Sequence, residues 1–322
     1  MHIEAQAHSI KLATPFVISR GARTHCNVVR VTISLGNWQG VGECTPYPRY
    51  NESVESVLEQ IETWQVNLKH LTPVQAKLQL QNFPAGAARN ALDCALWALI
   101  SNMDELGFPA PYFDVNAQIE TAMTVSIGSA EVMGKQARQY VEQGATLLKV
   151  KLDESDIENR VSAVRQAAPN CKIILDANEA WHGMELESLF QRLAHYDIAM
   201  IEQPVPAGQD ELLQGIDHPI PLCADESCHT KQDLASLKSC YEMVNIKLDK
   251  TGGLTEAFAL EAQARSLGFD IMVGCMLGTS IAMKAALPIA TRAKIVDLDG
   301  PVLLGQDVEN GLRYGDGKLH LL

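Results

Sequence analysis

Basic clusters, long apolar runs and closely paired cysteines are all missing from this chain. Its 322 residues include 26 Lys and Arg against 39 Asp and Glu, which gives a formal charge of −13. This charge argues against nucleic acid and anionic membranes as partners. The opening residues MHIEAQAHSI hold neither a cationic segment nor an apolar one, so we expect no secretory signal. No stretch reaches the roughly 18 uncharged apolar residues of a transmembrane helix.

The eight cysteines are scattered, and no two of them form a CxxC pair. Such spacing suits reduced thiols in a cytoplasm better than a disulfide framework or a zinc site. With 47% hydrophobic and 20% charged residues, the composition is that of a globular protein that can bury a large core. The length favours two domains and leaves the oligomeric state open, a homo-oligomer included.

Short β-branched apolar runs recur along the last two thirds of the chain, and most of them end in a charged residue. The charged ends are Lys151, Asp176, Glu202, Asp225, Lys247 and Asp297. Each run is followed by a turn and a helical pattern, and the run ends come every 22 to 28 residues when Cys275 is included. This rhythm is typical of a parallel (β/α) barrel, in which the C-terminal strand ends meet at one mouth.

The rhythm predicts eight barrel strands with seven helices between them and no eighth barrel helix. The strands are predicted at residues 121–127, 146–152, 172–176, 198–202, 221–225, 243–248, 270–275 and 294–298. The fold class is therefore α/β, a modified (β/α)7β TIM-type barrel. We assign the barrel catalytic domain to residues 116–300 and expect a C-terminal tail, residues 301–322, that returns to the N-terminal domain.

The first third of the chain follows a different pattern, which predicts an α+β capping domain over residues 1–115. Strands are expected near residues 2–11, 27–35 and 39–45, and helices at 52–68, 73–81 and 86–103. Asn51 and Thr72 are the candidate N-caps of the first two helices.

Three carboxylates, Asp176, Glu202 and Asp225, end consecutive predicted strands. Unpaired neighbouring carboxylates repel each other, and a divalent cation would relieve that repulsion. An all-oxygen ligand set favours Mg²⁺ or Mn²⁺ over zinc, with one ion per subunit. A salt bridge at the barrel rim is the alternative for any one of them, whereas the trio in register favours a metal site.

Two lysines, Lys149 and Lys151, alternate with apolar residues and therefore share the strand face that points into the barrel. Two ammonium groups near each other and near a metal should depress each other's pKa from about 10.4 toward neutrality, which suits a general base. Pairing with a neighbouring carboxylate is the alternative for one lysine alone.

Lys247, on the sixth barrel strand, should face Lys151, on the second strand, from across the barrel. Opposed bases allow a stereocentre to be inverted, because one removes a proton from one face and the conjugate acid of the other returns it to the opposite face. A metal would stabilise the enolate between these steps.

The motifs of the mouth together resemble the enolase superfamily, and within it the muconate-lactonising subgroup. They are KVK (149–151), DAN (176–178), EQP (202–204), DES (225–227) and NIK (245–247) followed by KTGG (250–253). Segments 14–21 and 40–50 are similar to the two loops that close over the substrate in this family. The resemblance therefore covers the barrel and the capping domain, and it implies a Mg²⁺-dependent enzyme.

Further segments resemble the bacterial dipeptide epimerases of the L-Ala-D/L-Glu type, which process cell-wall peptide. They are RNALDCALWAL (89–99), ADESCHT (224–230), LDKTGGLTEA (248–257), VGCMLGTS (273–280) and the pair Asp297 and Asp299. The resemblance implies that Asp297 and Asp299 hold the ammonium group of a small dipeptide substrate. It also implies that Lys151 takes the α-proton of the (S) isomer and Lys247 that of the (R) isomer.

The same resemblance implies substrate contacts at Thr124, Lys149 and Cys275. An arginine of the first closing loop, Arg23 or Arg20, would contact the glutamate side-chain carboxylate. Three other functions stay open on this scaffold: a lyase or cycloisomerase, an N-acyl amino acid racemase, and a non-catalytic barrel that binds peptide.

Overall fold

The N-terminal third is a sheet covered by helices. A computed structural model describes residues 1–19 and 21–321. The strands β1 (His2–Ile18), β2 (Gly21–Leu35) and β3 (Trp38–Cys44) form an antiparallel sheet in that order. The helices α1 (Val54–Leu68), α2 (Pro73–Leu80) and α3 (Ala87–Met103) follow. The predicted α+β elements are thereby confirmed.

The hairpin of β1 and β2 is longer than the sequence predicts. Its register runs from His2 opposite Ser34 to Lys11 opposite His25, shifts, and resumes with Phe16 opposite Arg23. Most of the segment 14–21, expected as a loop, is therefore strand at the far end of this hairpin.

One of the two predicted helix N-caps is confirmed, and the other is wrong. Thr72 caps α2 as expected, because its side chain accepts a hydrogen bond from the backbone N–H of Gln75. The Asn51 prediction is wrong, since Ser53 caps α1 through the backbone N–H of Ser56. Asn51 instead ends a short 3₁₀ helix in the left-handed conformation, with φ of 60°, which Asn tolerates better than most residues.

Eight parallel strands form the predicted barrel in unbroken sequential order. They are β5 (Met123–Val125), β6 (Leu147–Lys151), β7 (Lys172–Asp176), β8 (Ile198–Glu202), β9 (Leu222–Ala224), β10 (Met243–Ile246), β11 (Asp270–Gly274) and β12 (Ile295–Asp297). The N–H of Ala122 donates to the carbonyl of Val296 at 2.8 Å, which brings the last strand beside the first. The fold prediction is confirmed as a nearly closed barrel.

The helical connections depart from the prediction in two places. They are α4 (Ala130–Glu142), α5 (Ile157–Ala167), α6 (Leu186–Ala194), α7 (Leu234–Leu237), α8 (Leu248–Thr251), α9 (Leu254–Ser266), α10 (Ser280–Ala290) and α11 (Gly300–Leu303). Between β8 and β9 stands only a 3₁₀ helix, Asp210–Leu213, where Pro204 and Pro206 remove helical N–H donors. After β12 comes the four-residue α11.

The inside of the barrel is built in two layers. The lower layer is a buried apolar cluster of Ala122, Leu147, Ile174, Met200, Cys223, Met243, Met272 and Ile295. Because strand side chains alternate, the residue two positions further on points the same way. Those residues are Thr124, Lys149, Asp176, Glu202, Asp225, Asn245, Gly274 and Asp297. An almost entirely polar layer therefore lies directly above an apolar floor.

The C-terminal tail touches both parts of the molecule. Leu304 bridges to Leu12 of β1, and the N–H of Gly305 donates to the carbonyl of Lys11 at 2.8 Å. Its last two strands, β13 (Arg313–Gly315) and β14 (Lys318–His320), pair with each other, and β14 also pairs with β4 (Gln118–Glu120) just before the barrel.

None of the helices within residues 1–19 and 21–321 combines the length and the apolar character needed to cross a bilayer.

Close packing of β3 on α3 gives a first prediction. A methyl group added at Gly42 would lie 2.1 Å from the carbonyl oxygen of Ala91, and one added at Gly40 would lie 2.1 Å from that of Ala95. Gly42→Ala should lower the free energy of unfolding by about 1–3 kcal/mol, because helix backbone cannot yield as a side-chain end can. Gly315→Ala, with nothing within 4 Å of the added methyl, is the matched control in urea denaturation. Equal stability of the two variants would contradict this packing.

Candidate active site

The predicted carboxylates are neighbours in the barrel. The register pairs Lys151 with Asp176 and Asp176 with Glu202 across β6, β7 and β8. Glu202 lies opposite Cys223 of β9, two residues before Asp225. All three carboxylates are at most 1% exposed. Four residues predicted from separate motifs therefore meet at one end of adjacent strands.

The Lys149 ammonium lies among carboxylates from three strands. Its Nζ is 2.6 Å from Glu202 Oε2, 2.8 Å from Asp297 Oδ2 and 3.1 Å from Asp176 Oδ2. Lys149 is 1% exposed. One buried cation therefore holds carboxylates of β7, β8 and β12 together.

The two predicted bases are each held by a carboxylate of the trio. Lys151 Nζ lies 2.5 Å from Asp176 Oδ2 and donates to Asn178 Oδ1 at 3.2 Å. Lys247 Nζ lies 2.6 Å from Asp225 Oδ2. In the sheet, β6 and β10 are separated by β7, β8 and β9. The two lysines therefore approach the mouth from different sides, as predicted.

Lys250 was not singled out from the sequence as a site residue. Its ammonium is fully buried and lies 2.7 Å from Asp225 Oδ1, and it donates to the backbone carbonyls of Asp225 and Asn245. The signal was its place in the KTGG motif, three residues after Lys247. Lys250 lies on α8, so the strand pattern that identified the other lysines could not identify it.

The carboxylates around Lys149 act against the expected depression of its pKa. Burial alone would lower its pKa, but the carboxylates of Asp297, Glu202 and Asp176 raise it well above the ordinary value. For Lys247 burial likewise lowers the pKa and Asp225 raises it, with a net rise. For both lysines the rise comes from carboxylates on other strands, which the sequence pattern did not place at bonding distance.

The pKa values of the three carboxylates shift in different directions. Burial raises the pKa of Asp176 and of Asp225, but neighbouring ammonium groups lower both below the usual range. Burial, then the negative charge of Asp176, raises the pKa of Glu202 to about 7. At Glu202, burial and neighbouring negative charge therefore outweigh the nearby ammonium groups.

The residues fit a metal ion by charge and donor type. As they are placed, no three His, Cys, Asp or Glu side chains within residues 1–19 and 21–321 form a ready metal cluster. Yet Asp176 and Glu202 already share one cation, the Lys149 ammonium. Three buried carboxylates on adjacent strands offer oxygen donors only, which suits Mg²⁺. Asp176, Glu202 and Asp225 are thus the residues that could hold it.

Asp297 and Asp299 lie at one side of the same pocket. β12 ends at Asp297, and Asp299 stands just before α11, one residue beyond the predicted strand end. Asp299 Oδ2 accepts the backbone N–H of Thr124 at 2.8 Å. Burial, then the charge of Asp297, raises the pKa of Asp299 to about 7. A ligand ammonium group would relieve this repulsion.

One pocket, of about 670 Å³ including its opening to solvent, is lined by most of the predicted site residues, though not by the fully buried Asp176 and Glu202. The predicted site residues that line it are Thr124, Lys149, Lys151, Asp225, Lys247, Cys275, Asp297, Asp299 and Arg23. The capping domain adds Phe16, Ile18, Tyr47 and Tyr50, which sequence reasoning did not name as site residues. Arg20, the alternative to Arg23, lies outside the described residues.

Two family models match the chain. The model described as "Mandelate racemase / muconate lactonizing enzyme, N-terminal domain" matches residues 2–107, and "Enolase C-terminal domain-like" matches residues 132–321.

Curated relatives of similar length also match. The L-Ala-D/L-Glu epimerase of Escherichia coli K12 is 49% identical over an alignment of 317 positions that covers 96% of each chain. The N-acetyl-D-glutamate racemase of a Pseudoalteromonas species is 41% identical over 91% of this chain and 92% of its own.

Solved structures share the fold over nearly the whole chain. A crystal structure of an enolase family member from Agrobacterium tumefaciens, with bound sodium and L-Ala-L-Glu, gives a TM-score of 0.93 at 43% identity, covering 99% of this chain and 97% of that one. The dipeptide epimerase of Enterococcus faecalis V583, complexed with Mg and L-Leu-L-Tyr, gives 0.92 at 29% identity, covering 99% and 96%.

The burial of Lys250 gives a second prediction. Lys250→Met should lower the free energy of unfolding by about 3 kcal/mol, because it removes a buried partner of Asp225 and of two carbonyls. Lys294→Met is the control: Lys294 pairs with Asp270 at 2.6 Å, but both side chains are more than half exposed. The control should lose no more than about 1 kcal/mol. Chemical denaturation measures both variants. A Lys250→Met variant as stable as the control would contradict the role given to the contacts of Lys250.

Proposed function

Since this chain belongs to the mandelate racemase/muconate lactonizing enzyme family of the enolase superfamily, we propose that it is an isomerase. It is a Mg²⁺-dependent epimerase that inverts the Glu α-carbon of L-Ala-D/L-Glu dipeptides. The observation that carries the proposal is that Lys151, at the end of β6, and Lys247, just after β10, line one pocket. Two-base epimerisation needs an acid–base group on each face of the α-carbon, because the proton leaves one face and returns to the other.

The three carboxylates Asp176, Glu202 and Asp225 would hold one Mg²⁺, for which Mn²⁺ could substitute. The ion would supply positive charge where negative charge develops on the substrate's α-carboxylate. Carboxylates that ligate a cation also raise the pKa of neighbouring lysines less strongly. Lys151 and Lys247 would then give up their protons more readily.

The two lysines have opposite tasks in each direction of the reaction. Lys151 removes the α-proton of the (S) isomer, and the Lys247 ammonium delivers a proton to the other face. The direction reverses for the (R) isomer. Asn178 orients Lys151 through its hydrogen bond, and Asp225 orients Lys247 through its ion pair.

The remaining site residues recognise the dipeptide. Asp297 and Asp299 hold its ammonium group, and Arg23 holds its side-chain carboxylate. Thr124, Lys149 and Cys275 complete the contacts. The support is that all six line the pocket of the two lysines. Two buried carboxylates suit a free ammonium group, which an acylated amino acid lacks.

A second candidate function is racemisation of an N-acyl amino acid. The 41% identity to an N-acetyl-D-glutamate racemase favours it, since racemisation also inverts an α-carbon and the same metal and lysines could serve it. The Asp297 and Asp299 pair favours the dipeptide. A lyase or cycloisomerase would need one base only.

We place the enzyme in the metabolism of murein peptides in the cytoplasm. All eight cysteines are free thiols, which suits a reducing compartment. The charge of −13 disfavours nucleic acid and membrane partners. We also propose three units: a capping domain over 1–115, the barrel over 116–300 and the tail over 301–322.

The third prediction tests the reaction itself. Incubation with L-Ala-L-Glu in D₂O should yield α-deuterated dipeptide and its L-Ala-D-Glu diastereomer, both visible by NMR. Lys151→Ala and Lys247→Ala should each abolish epimerisation, because the second face loses its proton donor. EDTA treatment should stop the reaction and Mg²⁺ should restore it. Near wild-type epimerisation by Lys247→Ala, or full activity without metal, would refute this mechanism.

The fourth prediction tests the substrate class. Removing one partner of a buried ammonium costs about 2–5 kcal/mol, so Asp297→Asn and Asp299→Asn should lower kcat/KM for L-Ala-L-Glu roughly thirtyfold to several-thousandfold. Mg²⁺ affinity, measured by calorimetry, should persist in both variants. N-acetyl-L-Ala-L-Glu should be a poor substrate. Faster turnover of N-acetyl-D-glutamate than of the dipeptide would show that N-acyl amino acid racemisation, and not dipeptide epimerisation, is the function.

A further inference from the structure

We propose that Tyr47 is a positioning residue that sets the preference for an acidic substrate side chain, by holding the Arg23 guanidinium beside the pocket. The inference rests on the proposed function. It adds Tyr47, from a different segment of the capping domain than Arg23. Tyr47 can act without touching the substrate.

Arg23 and Tyr47 meet in a cation–π contact. The Arg23 Cζ lies 4.8 Å from the centroid of the Tyr47 ring, and both residues line the pocket of Lys151 and Lys247. Arg23 lies near the start of β2, opposite Phe16 and beyond the register shift of the hairpin. A long side chain at a hairpin end has many rotamers, so a ring beneath it narrows the positions that its guanidinium can take.

The Tyr47 ring is itself fixed. Its residue is 7% exposed, and its N–H donates to Glu52 Oε2 at 3.1 Å. Its ring packs against Tyr50 with centroids 5.4 Å apart, and Tyr50 packs against His229 at 4.5 Å. His229 belongs to the barrel segment that follows Asp225. The ring that supports Arg23 is thus braced against the barrel.

Arg23 differs from the other described cations of the pocket. Lys149, Lys151 and Lys247 each have a carboxylate within 3 Å. Within residues 1–19 and 21–321, no carboxylate oxygen forms a salt bridge with Arg23. Its charge is therefore available to a ligand, while the lysines are already paired.

Two of the three charged groups of the dipeptide have partners elsewhere in the site, so Arg23 can pair with the third, on the glutamate side chain. Its ammonium is assigned to Asp297 and Asp299, and its α-carboxylate to the metal and the lysines. The glutamate side-chain carboxylate is the third charge, and among the pocket cations of residues 1–19 and 21–321 Arg23 is the one left to pair with it. Loss of the Tyr47 ring should therefore weaken recognition of that one charge and spare the rest of the site.

The experiment compares L-Ala-L-Glu with L-Ala-L-Gln, which has nearly the same shape and no side-chain charge. The readout is the ratio of kcat/KM for the two dipeptides. Tyr47→Leu should lower this ratio about fivefold to thirtyfold, mostly through KM for L-Ala-L-Glu. Tyr47→Phe keeps the ring and should restore the ratio. Tyr47→Met is a second ringless variant should Tyr47→Leu fold poorly.

Arg23→Met provides the second arm. If Tyr47 acts through Arg23, Tyr47→Leu should not change the ratio further in the Arg23→Met background. Equal losses on both dipeptides, a Tyr47→Phe ratio as low as that of Tyr47→Leu, or additive effects in the double variant would overturn the inference while the epimerase stands. Failure of the wild-type enzyme to act on either dipeptide would overturn the proposed function, and this inference with it.

Discussion

Charge balance inside the barrel mouth is the constraint on which the site depends. Five carboxylates, Asp176, Glu202, Asp225, Asp297 and Asp299, and four ammonium groups, Lys149, Lys151, Lys247 and Lys250, are all nearly or fully buried there. None could be buried alone, because an unpaired charge in a protein interior is very costly. The network is held at both ends by packing: an apolar floor lies below it, and the capping domain adjoins it above.

Much of this arrangement could be predicted, because strand periodicity is a local property of the sequence. The alternation in LLKVK assigned both lysines to the inner face, and the repeated run ends assigned the carboxylates to one mouth. What could not be predicted depends on distances between segments. The rise in the Lys149 pKa follows from three carboxylates on other strands. The contact of Arg23 with Tyr47 joins segments 24 residues apart, and no periodicity links them. The extra length of the β1–β2 hairpin arises from pairing beyond a register shift.

The junction of the two domains explains why the KTGG motif is needed. Helix α3 lies against the turn after α8, where a methyl group added at Gly253 would lie 2.4 Å from the Cβ of Asp93. Arg89 donates to the carbonyls of Thr251 and Gly252, and Asp93 accepts two hydrogen bonds from Thr255. Buried Asp249, in turn, accepts hydrogen bonds from Thr45 and Asn90. The segment that follows Lys247 is therefore bonded to the capping domain at several points, so the orientation of this base depends on both domains.

The separation of the polar layer from the β1–β2 hairpin has an evolutionary consequence. The acid–base side chains stand at the ends of strands whose inward residues pack in the apolar floor or are held by ion pairs and hydrogen bonds, so changes there would disturb the fold or the chemistry. Phe16, Ile18 and Arg23 project into the pocket from the end of a hairpin beyond its register shift. Substitutions at the hairpin end can thus alter the substrate range while the strands that carry the chemistry stay unchanged.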